Sequence, residues 1–233
     1  MLKEKYEKPN TLLQVLHYVV LLHHWFVAYY SSFVLDFHDA DLQYVKDLNR
    51  FPVAYVTTWN FAGHMLFFSV CALQDAFGHR FTARNRILIQ KIQDFLFTIL
   101  VYPGTMLVLT TFWGFYFVDR ELVLPRSADE FVPQWFNHSL HTFIFVAVLL
   151  EIMLTRKRLS GPLMTRVGLG FFCVGYDSVF LYISYVYGVS LYPFLYNVNS
   201  WVVKLLFLLA CNTCYIIYYI IGAKFFFVRE KQM

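Results

Sequence analysis

Long apolar stretches separated by short polar segments make up almost the whole chain. A helix that crosses a bilayer needs roughly 20 mostly apolar residues, because the hydrocarbon core is about 30 Å thick. Six stretches reach this length, at residues 11–35, 54–77, 94–118, 136–154, 165–187 and 201–223. The segments between them are too short to fold alone. The pattern therefore predicts an all-α polytopic membrane protein, a single domain over residues 1–233 with six transmembrane helices.

Composition agrees with this prediction and excludes a soluble globular domain. Hydrophobic residues make up 59% of the chain and charged residues 15%, whereas soluble domains have about 45–50% and about 25%. A proline and a glycine, Pro103 and Gly104, interrupt the third predicted span. Neighbouring helices can satisfy the backbone groups that such an interruption frees, so the segment is still expected to cross the membrane.

The basic residues lie mainly in alternate loops. They cluster before the first span, after the second, after the fourth and after the last, and include Lys3, Lys5, Lys8, Arg156, Lys157, Arg158, Arg229 and Lys231. Because positive residues concentrate in short cytosolic loops, both termini are predicted to be cytosolic. Endoplasmic reticulum and plasma membrane both suit this topology. No basic domain exists that would bind nucleic acid.

Polar residues inside the predicted spans are the candidates for function, because they are costly in hydrocarbon. Thr57 lies near the start of the second span, and His141 lies near the start of the fourth. Both spans enter from the same side, so each residue is expected roughly 5–8 Å below that surface at about 1.5 Å per residue. A hydroxyl and an imidazole at one depth can share a cavity, where the imidazole would activate the hydroxyl for attack on an ester. Ordinary helix packing by the same residues is the alternative.

Further ionisable residues within the spans include Glu151, Asp177 and His64. Glu151 lies within two turns of residues 156–158, which favours an ion pair at the membrane surface. Asp177 lies in mid-span, where it could line a cavity or bond a tyrosine. His64 receives no catalytic role. A metal site built on His138-x-x-His141 is a second chemical alternative, but dispersed imidazoles are not typical of the clustered ligands that metal enzymes use.

Several segments resemble one family, in order along the chain: residues 55–60 (YVTTWN), 67–75 (FFSVCALQD), 112–121 (FWGFYFVDRE), 135–142 (WFNHSLHT) and 192–195 (YPFL). Through these segments the chain resembles the androgen-induced gene and androgen-dependent TFPI-regulating protein family of multi-pass membrane threonine hydrolases. The resemblance implies a metal-independent lipid ester hydrolase without a cofactor. Its substrates would be fatty acid esters of hydroxy fatty acids, entering from the bilayer.

The resemblance also implies roles for particular residues. The family's nucleophile corresponds to Thr57, and its histidine base corresponds to His141. Asn60, Asn137 and His138 are candidates for supporting or substrate-binding roles. Residues 49–53 (NRFPV) depart from the family's usual segment before the threonine, so the neighbouring Thr58 is a competing register.

A non-catalytic transporter, channel or scaffold is the alternative function. In such a protein the polar residues would only tie helices together. A transporter typically has repeat symmetry or paired broken helices, and the chain has one interrupted span and no repeat.

Overall fold

The computed structural model describes residues 10–35, 43–196, 198 and 200–228. Within this part of the chain, six helices are long and apolar enough to cross a membrane, which confirms the predicted fold class. In chain order, spans one to six are Thr11–Phe33, Val56–Arg80, Ala83–Val118, Gln134–Leu154, Pro162–Val186 and Trp201–Phe225. The basic residues Lys3, Lys5, Lys8, Arg229 and Lys231 lie outside the described residues.

The third span is longer than the apolar pattern predicts. Its helix begins at Ala83 rather than near residue 94. The Thr82 hydroxyl caps the helix by accepting a hydrogen bond from the Asn85 N–H at 3.2 Å. Because no proline other than Pro103 lies between Thr82 and Val118, the polar segment after the second span becomes the start of the membrane helix.

Pro103 does not break this helix because a wider turn precedes it. Residues Leu96–Val101 form a π-helical segment, and the α-helix resumes at Tyr102. Proline has no N–H to give to the carbonyl four residues earlier, which here belongs to Ile99. The hydroxyl of Tyr215, from span six, donates to that carbonyl at 2.5 Å. A neighbouring helix thus satisfies the freed group, as expected for an interrupted span.

Loops at one end of the bundle pack together. We call it the Val56 end, because span two begins there. A short helix, Gln43–Arg50, lies between spans one and two, and another, Pro193–Tyr196, lies between spans five and six. The Tyr196 hydroxyl donates to the Asp47 carboxylate and joins these two helices. At the opposite end, Val228 pairs with residues 157 and 159 through backbone hydrogen bonds.

A buried ion network lies on the far side of the bundle from the Val56 end. Glu151, which is 0% exposed, accepts from the Lys157 ammonium at 2.7 Å and from His17 Nε2 at 3.1 Å. His17 Nδ1 contacts Asp75 at 2.6 Å. The sequence placed Glu151 in an ion pair at the membrane surface. The pairing with the basic segment is present, but the interpretation as a surface pair is wrong, because spans one and two enclose the carboxylate.

The network also determines the charge of Lys157, in the loop after span four. Burial is the largest single influence and favours the neutral amine, but Glu151, Cys71 and Asp94 together outweigh it and raise the pKa of Lys157 above its usual value. His17 contacts a carboxylate through each ring nitrogen, so both nitrogens act as donors and the ring is an imidazolium. Two cations and two carboxylates therefore balance in the buried network.

Asp177 pairs with a different partner from those considered in the sequence. The Asn212 side-chain amide of span six donates to its carboxylate at 2.7 Å. This bond joins spans five and six. Asp177 does not line the cavity described below.

Candidate active site

The second span places a hydroxyl at its first turn. Its helix begins at Val56, so Thr57 is the second residue of the helix. The first turn of a helix leaves backbone N–H groups without intrahelical partners and carries the positive end of the helix dipole. One of these groups, the Val56 N–H, donates to the Tyr192 hydroxyl at 3.3 Å. The Thr57 side chain therefore lies in a region of positive potential.

The fourth span presents an imidazole from a π-helical segment, Ser139–Phe143. Single π turns within α-helices are frequent at functional sites, because the extra residue redirects side chains. His141 Nδ1–H donates to the backbone carbonyl of Asn137 at 3.0 Å. The ring stacks on Phe112 of span three, with centroids 3.7 Å apart and planes inclined by 17°. The bond sets the tautomer and the stack fixes the plane, which leaves the Nε2 lone pair free.

This lone pair is directed at the threonine. Thr57 Oγ1 lies 3.5 Å from His141 Nε2. Hydrogen bonds between catalytic groups are often long before substrate binds, and shorten in the productive complex. The arrangement can therefore remove the hydroxyl proton as the oxygen attacks an electrophile, and later return it to a leaving group.

Both side chains line one cavity of about 530 Å³. Its wall is mostly apolar and includes Phe61, Val108, Phe112, Phe115, Phe136 and Leu140. A cavity of this size and character suits a ligand with long apolar chains and one polar group. The Thr57–His141 pair is the polar group that such a ligand would meet.

Loops cover the cavity at the Val56 end. The Tyr44 hydroxyl donates to the Val123 carbonyl at 3.3 Å, and Tyr192 bonds Tyr176 at 3.0 Å. Burial raises the pKa of Tyr192 far enough to keep this loop hydroxyl neutral. The loops thus close the cavity with uncharged hydroxyl groups.

The mouth of the cavity lies between the end of span one and the start of span two. Among the lining residues, those that are exposed are Ser31, Ser32, Asn49, Pro52 and Thr58. Short hydroxyl and amide side chains dominate this rim. The cavity is therefore apolar inside and polar where it opens.

The structure brings only some of the sequence-predicted residues together. Asn137 lines the cavity, and its carbonyl orients His141. Thr58 also lines the cavity, but the His141 contact belongs to Thr57. Asn60 lies outside the cavity, against Thr105 of span three. His138 is exposed, bonds Thr142 at 3.1 Å, and does not line the cavity.

Phe112 and the π-helical segment are features of the site that the sequence did not predict. Phe112 lies in one of the segments on which the family resemblance rests, but aromatic residues are common throughout the third span. No spacing rule distinguishes the ring that stacks on His141. A π turn likewise leaves no periodic signal in the sequence.

A metal site would require several ligating side chains close to one another. Among the described residues, one group of three has ligating atoms within 4.8 Å of one another, and it consists of His17, Cys71 and Glu151. It belongs to the ion network, where Lys157 and Asp75 already pair its charged members. The group therefore has a structural explanation and lies away from the Thr57 cavity.

Six spans with a hydroxyl–imidazole pair in a lipid-sized cavity define a polytopic membrane protein with a candidate active site near one end. A family model described as FAR-17a/AIG1-like protein matches residues 15–225. The chain therefore belongs to the FAR-17a/AIG1-like family.

Relatives extend this result over most of the chain. Androgen-dependent TFPI-regulating protein of Mesocricetus auratus is 28% identical over 222 residues, covering 95% of this chain and 91% of the relative. The Homo sapiens protein of the same name is 27% identical over 186 residues, covering 77% and 76%. Androgen-induced gene 1 protein of Homo sapiens is 27% identical over 141 residues, covering 58% and 59%. No solved structure matches the chain.

Proposed function

We propose that this protein is a membrane-embedded ester hydrolase in which Thr57 is the nucleophile and His141 the general base. Its substrates would be fatty acid esters of hydroxy fatty acids, in which one acyl chain esterifies a hydroxyl along another. The observation that carries the proposal is the 3.5 Å contact between Thr57 Oγ1 and the free lone pair of His141 inside an apolar cavity.

In the first step, the Thr57 oxygen attacks the ester carbonyl while its proton moves to His141 Nε2. The tetrahedral intermediate then collapses, and the C–O bond to the leaving alcohol breaks. His141 returns the proton to that alcohol oxygen. The products are an acyl-threonine and a free hydroxy fatty acid.

The negative charge on the carbonyl oxygen needs hydrogen-bond donors about 2.7–3.1 Å away. The first-turn N–H groups of Val56 and Thr58 already donate to the Tyr192 hydroxyl and the Tyr55 carbonyl, so the N–H of Thr57 is the first-turn backbone donor suited to this role. The Asn137 side chain, which lines the same cavity, is a second candidate donor. Asn60 has no direct part in this step, because it faces span three.

In the second step, water replaces the alcohol. His141 takes a proton from the water as the oxygen attacks the acyl-threonine carbonyl. The bond to Thr57 Oγ1 breaks, and the proton returns to that oxygen. This step releases the second fatty acid and restores the starting enzyme.

The proposed route of the substrate follows from the chemistry of the cavity wall. Apolar chains stay in hydrocarbon if the ester enters laterally from the bilayer. The polar rim formed by Ser31, Ser32, Asn49 and Thr58 would lie at the headgroup level, where the carboxylate of the substrate is hydrated. In this arrangement both termini would lie in the cytosol, and the cavity would lie near the opposite face of the membrane.

Labelling with a fluorophosphonate probe in detergent-solubilised membranes tests this function. We expect the wild-type protein to be labelled, and mass spectrometry to locate the adduct on Thr57. Thr57→Ala should abolish labelling, and His141→Ala should slow it by about 10²–10⁴-fold, the usual contribution of a general base. Thr58→Ala is the matched control and should retain labelling.

Asn137→Ala separates the two roles of that residue. The variant keeps the carbonyl that orients His141 and removes only the side-chain amide, so labelling should weaken without disappearing. A well-folded wild-type protein that resists the probe, or an adduct on Thr58, would contradict the assignment. Lack of labelling would favour the transporter, channel or scaffold alternative. Turnover of fatty acid esters of hydroxy fatty acids then tests the substrate class.

A further inference from the structure

A cluster of polar side chains is buried behind the wall of the catalytic cavity. His24 and His64 are each 0% exposed, and their ring centroids lie 5.3 Å apart. Asn60, which is 2% exposed, is joined to His64 through Thr105. Three atoms of this cluster have no hydrogen-bond partner among the described residues: His24 Nε2, His64 Nδ1 and Asn60 Nδ2.

The two imidazoles are neutral. Their contacts in the described part of the chain are with other imidazoles, phenylalanine rings and a hydroxyl. A charged imidazolium buried without a carboxylate beside it would be strongly disfavoured. Each ring therefore carries one N–H group and one lone pair.

Hydrogen-bond directions fix which atom of His24 carries its lone pair. Ser139 Oγ donates to the Trp135 carbonyl at 2.9 Å, so it accepts from His23 Nε2–H at 3.1 Å. In a neutral His23 ring, the Nδ1 lone pair then accepts from His24 Nδ1–H at 3.2 Å. His24 Nε2 is consequently an acceptor that needs a donor.

His64 depends on the single proton of the Thr105 hydroxyl. If Thr105 donates to the Asn60 Oδ1 atom at 3.4 Å, then His64 Nε2–H donates to Thr105 at 2.6 Å and His64 Nδ1 is a lone pair. If Thr105 donates to His64 instead, His64 Nδ1 carries the proton. Asn60 Nδ2 is a donor in both arrangements.

One water molecule has enough protons and lone pairs to satisfy all three atoms in either arrangement. It has two protons and two lone pairs, so it can donate to His24, either donate to or accept from His64, and accept from Asn60. Buried waters typically make about three such bonds to otherwise unsatisfied groups. A metal cation fits less well, because the Asn60 amide would direct N–H groups at it.

The cluster lies next to the cavity in which the acyl-threonine would be hydrolysed. The ring of Phe61 stacks on His24, with centroids 4.7 Å apart, and Phe61 also lines the catalytic cavity. Phe61 thus contacts both the cluster and the cavity of Thr57 and His141. During turnover, the acyl chains would fill the apolar cavity and keep bulk water from entering through the mouth.

We propose that a water molecule bridges His24, His64 and Asn60, and that it supplies the water that hydrolyses the acyl-threonine. Rotation of the Phe61 side chain opens the way between the two spaces. The supply of water to the reaction rests on the proposed function, whereas the hydration site itself does not.

Radiolytic footprinting of the full-length protein in lipid nanodiscs tests the hydration site. X-rays generate hydroxyl radicals from bound water, and these oxidise side chains next to it. Phe68, which is 0% exposed, lies 6.0 Å from both His24 and His64 between ring centroids. Phe180 is also 0% exposed and serves as the buried control, since its ring contacts are with Tyr176, Tyr192 and Phe207 and not with the cluster. We expect several-fold more oxidation at Phe68 than at Phe180.

The His64→Leu variant removes one partner of the water and leaves the His17 network intact. Oxidation of Phe68 should then fall to the level of Phe180. If this variant does not fold, the test uses the wild-type protein instead, which is exposed to X-ray pulses at increasing times after transfer into H₂¹⁸O. Labelled oxygen should appear at Phe68 later than at exposed residues, because the bound water exchanges slowly. Equal oxidation of Phe68 and Phe180 in the wild-type protein would overturn the hydration site.

Acyl-enzyme measurements test the supply of water to the reaction. With a p-nitrophenyl fatty ester, His64→Leu should still release p-nitrophenol in a first turnover but accumulate several-fold more acyl-Thr57 peptide than the wild type. If acyl-Thr57 forms but does not accumulate in the variant, the supply role is overturned. If the wild-type protein forms no acyl-Thr57, the proposed function fails, and footprinting still decides the hydration site.

Discussion

Replacement of Glu151 by Gln removes one charge from the buried ion network while preserving the size of the side chain. Glu151 accepts from Lys157 at 2.7 Å and from His17 at 3.1 Å, and it is 0% exposed. After Glu151→Gln, the two cations of the network share the single carboxylate of Asp75. The Lys157 ammonium would then lie buried without a carboxylate in direct contact, and Asp94 would attract it from farther away.

The cost follows from burial. Loss of one partner of a buried ion pair typically costs about 3–5 kcal/mol, because the other charge is left uncompensated. For a chain of this size, 1 kcal/mol corresponds to a change of about 2–4 °C in melting temperature. The expected decrease for Glu151→Gln is therefore about 6–20 °C. Because the pKa of Lys157 is raised, its contribution is complete at neutral pH and is lost only as the pH rises through that pKa.

The assay heats the detergent-solubilised protein at neutral pH and measures, by size-exclusion chromatography, the fraction that remains folded at each temperature. Glu121→Gln is the matched control, because it removes a carboxylate from an exposed pair. Glu121 lies 3.9 Å from Arg126, and the two side chains are 50% and 81% exposed. Exposed pairs contribute about 0–1 kcal/mol, so this control should melt close to the wild type.

A second substitution tests the reason for the destabilisation. Adding Lys157→Met to Glu151→Gln removes the unpaired ammonium and should recover part of the lost stability. Equal melting temperatures for Glu151→Gln and Glu121→Gln would refute the buried network. A double variant less stable than Glu151→Gln alone would refute the explanation by an uncompensated charge.

The remaining predictions concern helix packing and topology. Tyr215→Phe leaves the Ile99 carbonyl without its donor and should destabilise the protein by about 1–3 kcal/mol in the same thermal assay. Gly104→Ala places a Cβ 2.6 Å from Asn60 Oδ1 and should also cost about 1–3 kcal/mol. Gly114→Ala meets nothing within 4 Å and should not destabilise the protein, so a loss as large as that of Gly104→Ala would contradict the packing argument. An epitope tag at the C-terminus should bind antibody once the plasma membrane alone is permeabilised and not in intact cells; binding to intact cells, or binding only after internal membranes are permeabilised as well, would reverse the predicted topology.

The sequence was sufficient to predict the six spans, because bilayer thickness sets a length that apolar runs either reach or do not reach. It also placed Thr57 and His141 at one depth, since helical rise converts position in a span into distance from the membrane surface. The structure brings these side chains to 3.5 Å and into one cavity. Depth alone did not determine which faces of the two helices meet.

Tertiary structure decided the contacts that depend on helix rotation and on distant parts of the chain. Asn60 shares a helical face with Thr57 by spacing, yet it packs against span three instead of the cavity. Glu151 has its basic neighbours close in sequence. His17 and Asp75, which complete the buried network, are 134 and 76 positions away from it along the chain. The sequence by itself predicted that Thr57 and His141 lie at one depth in their spans. Which partner each polar residue meets was decided only by packing, because every polar group in the bundle must find another group to bond.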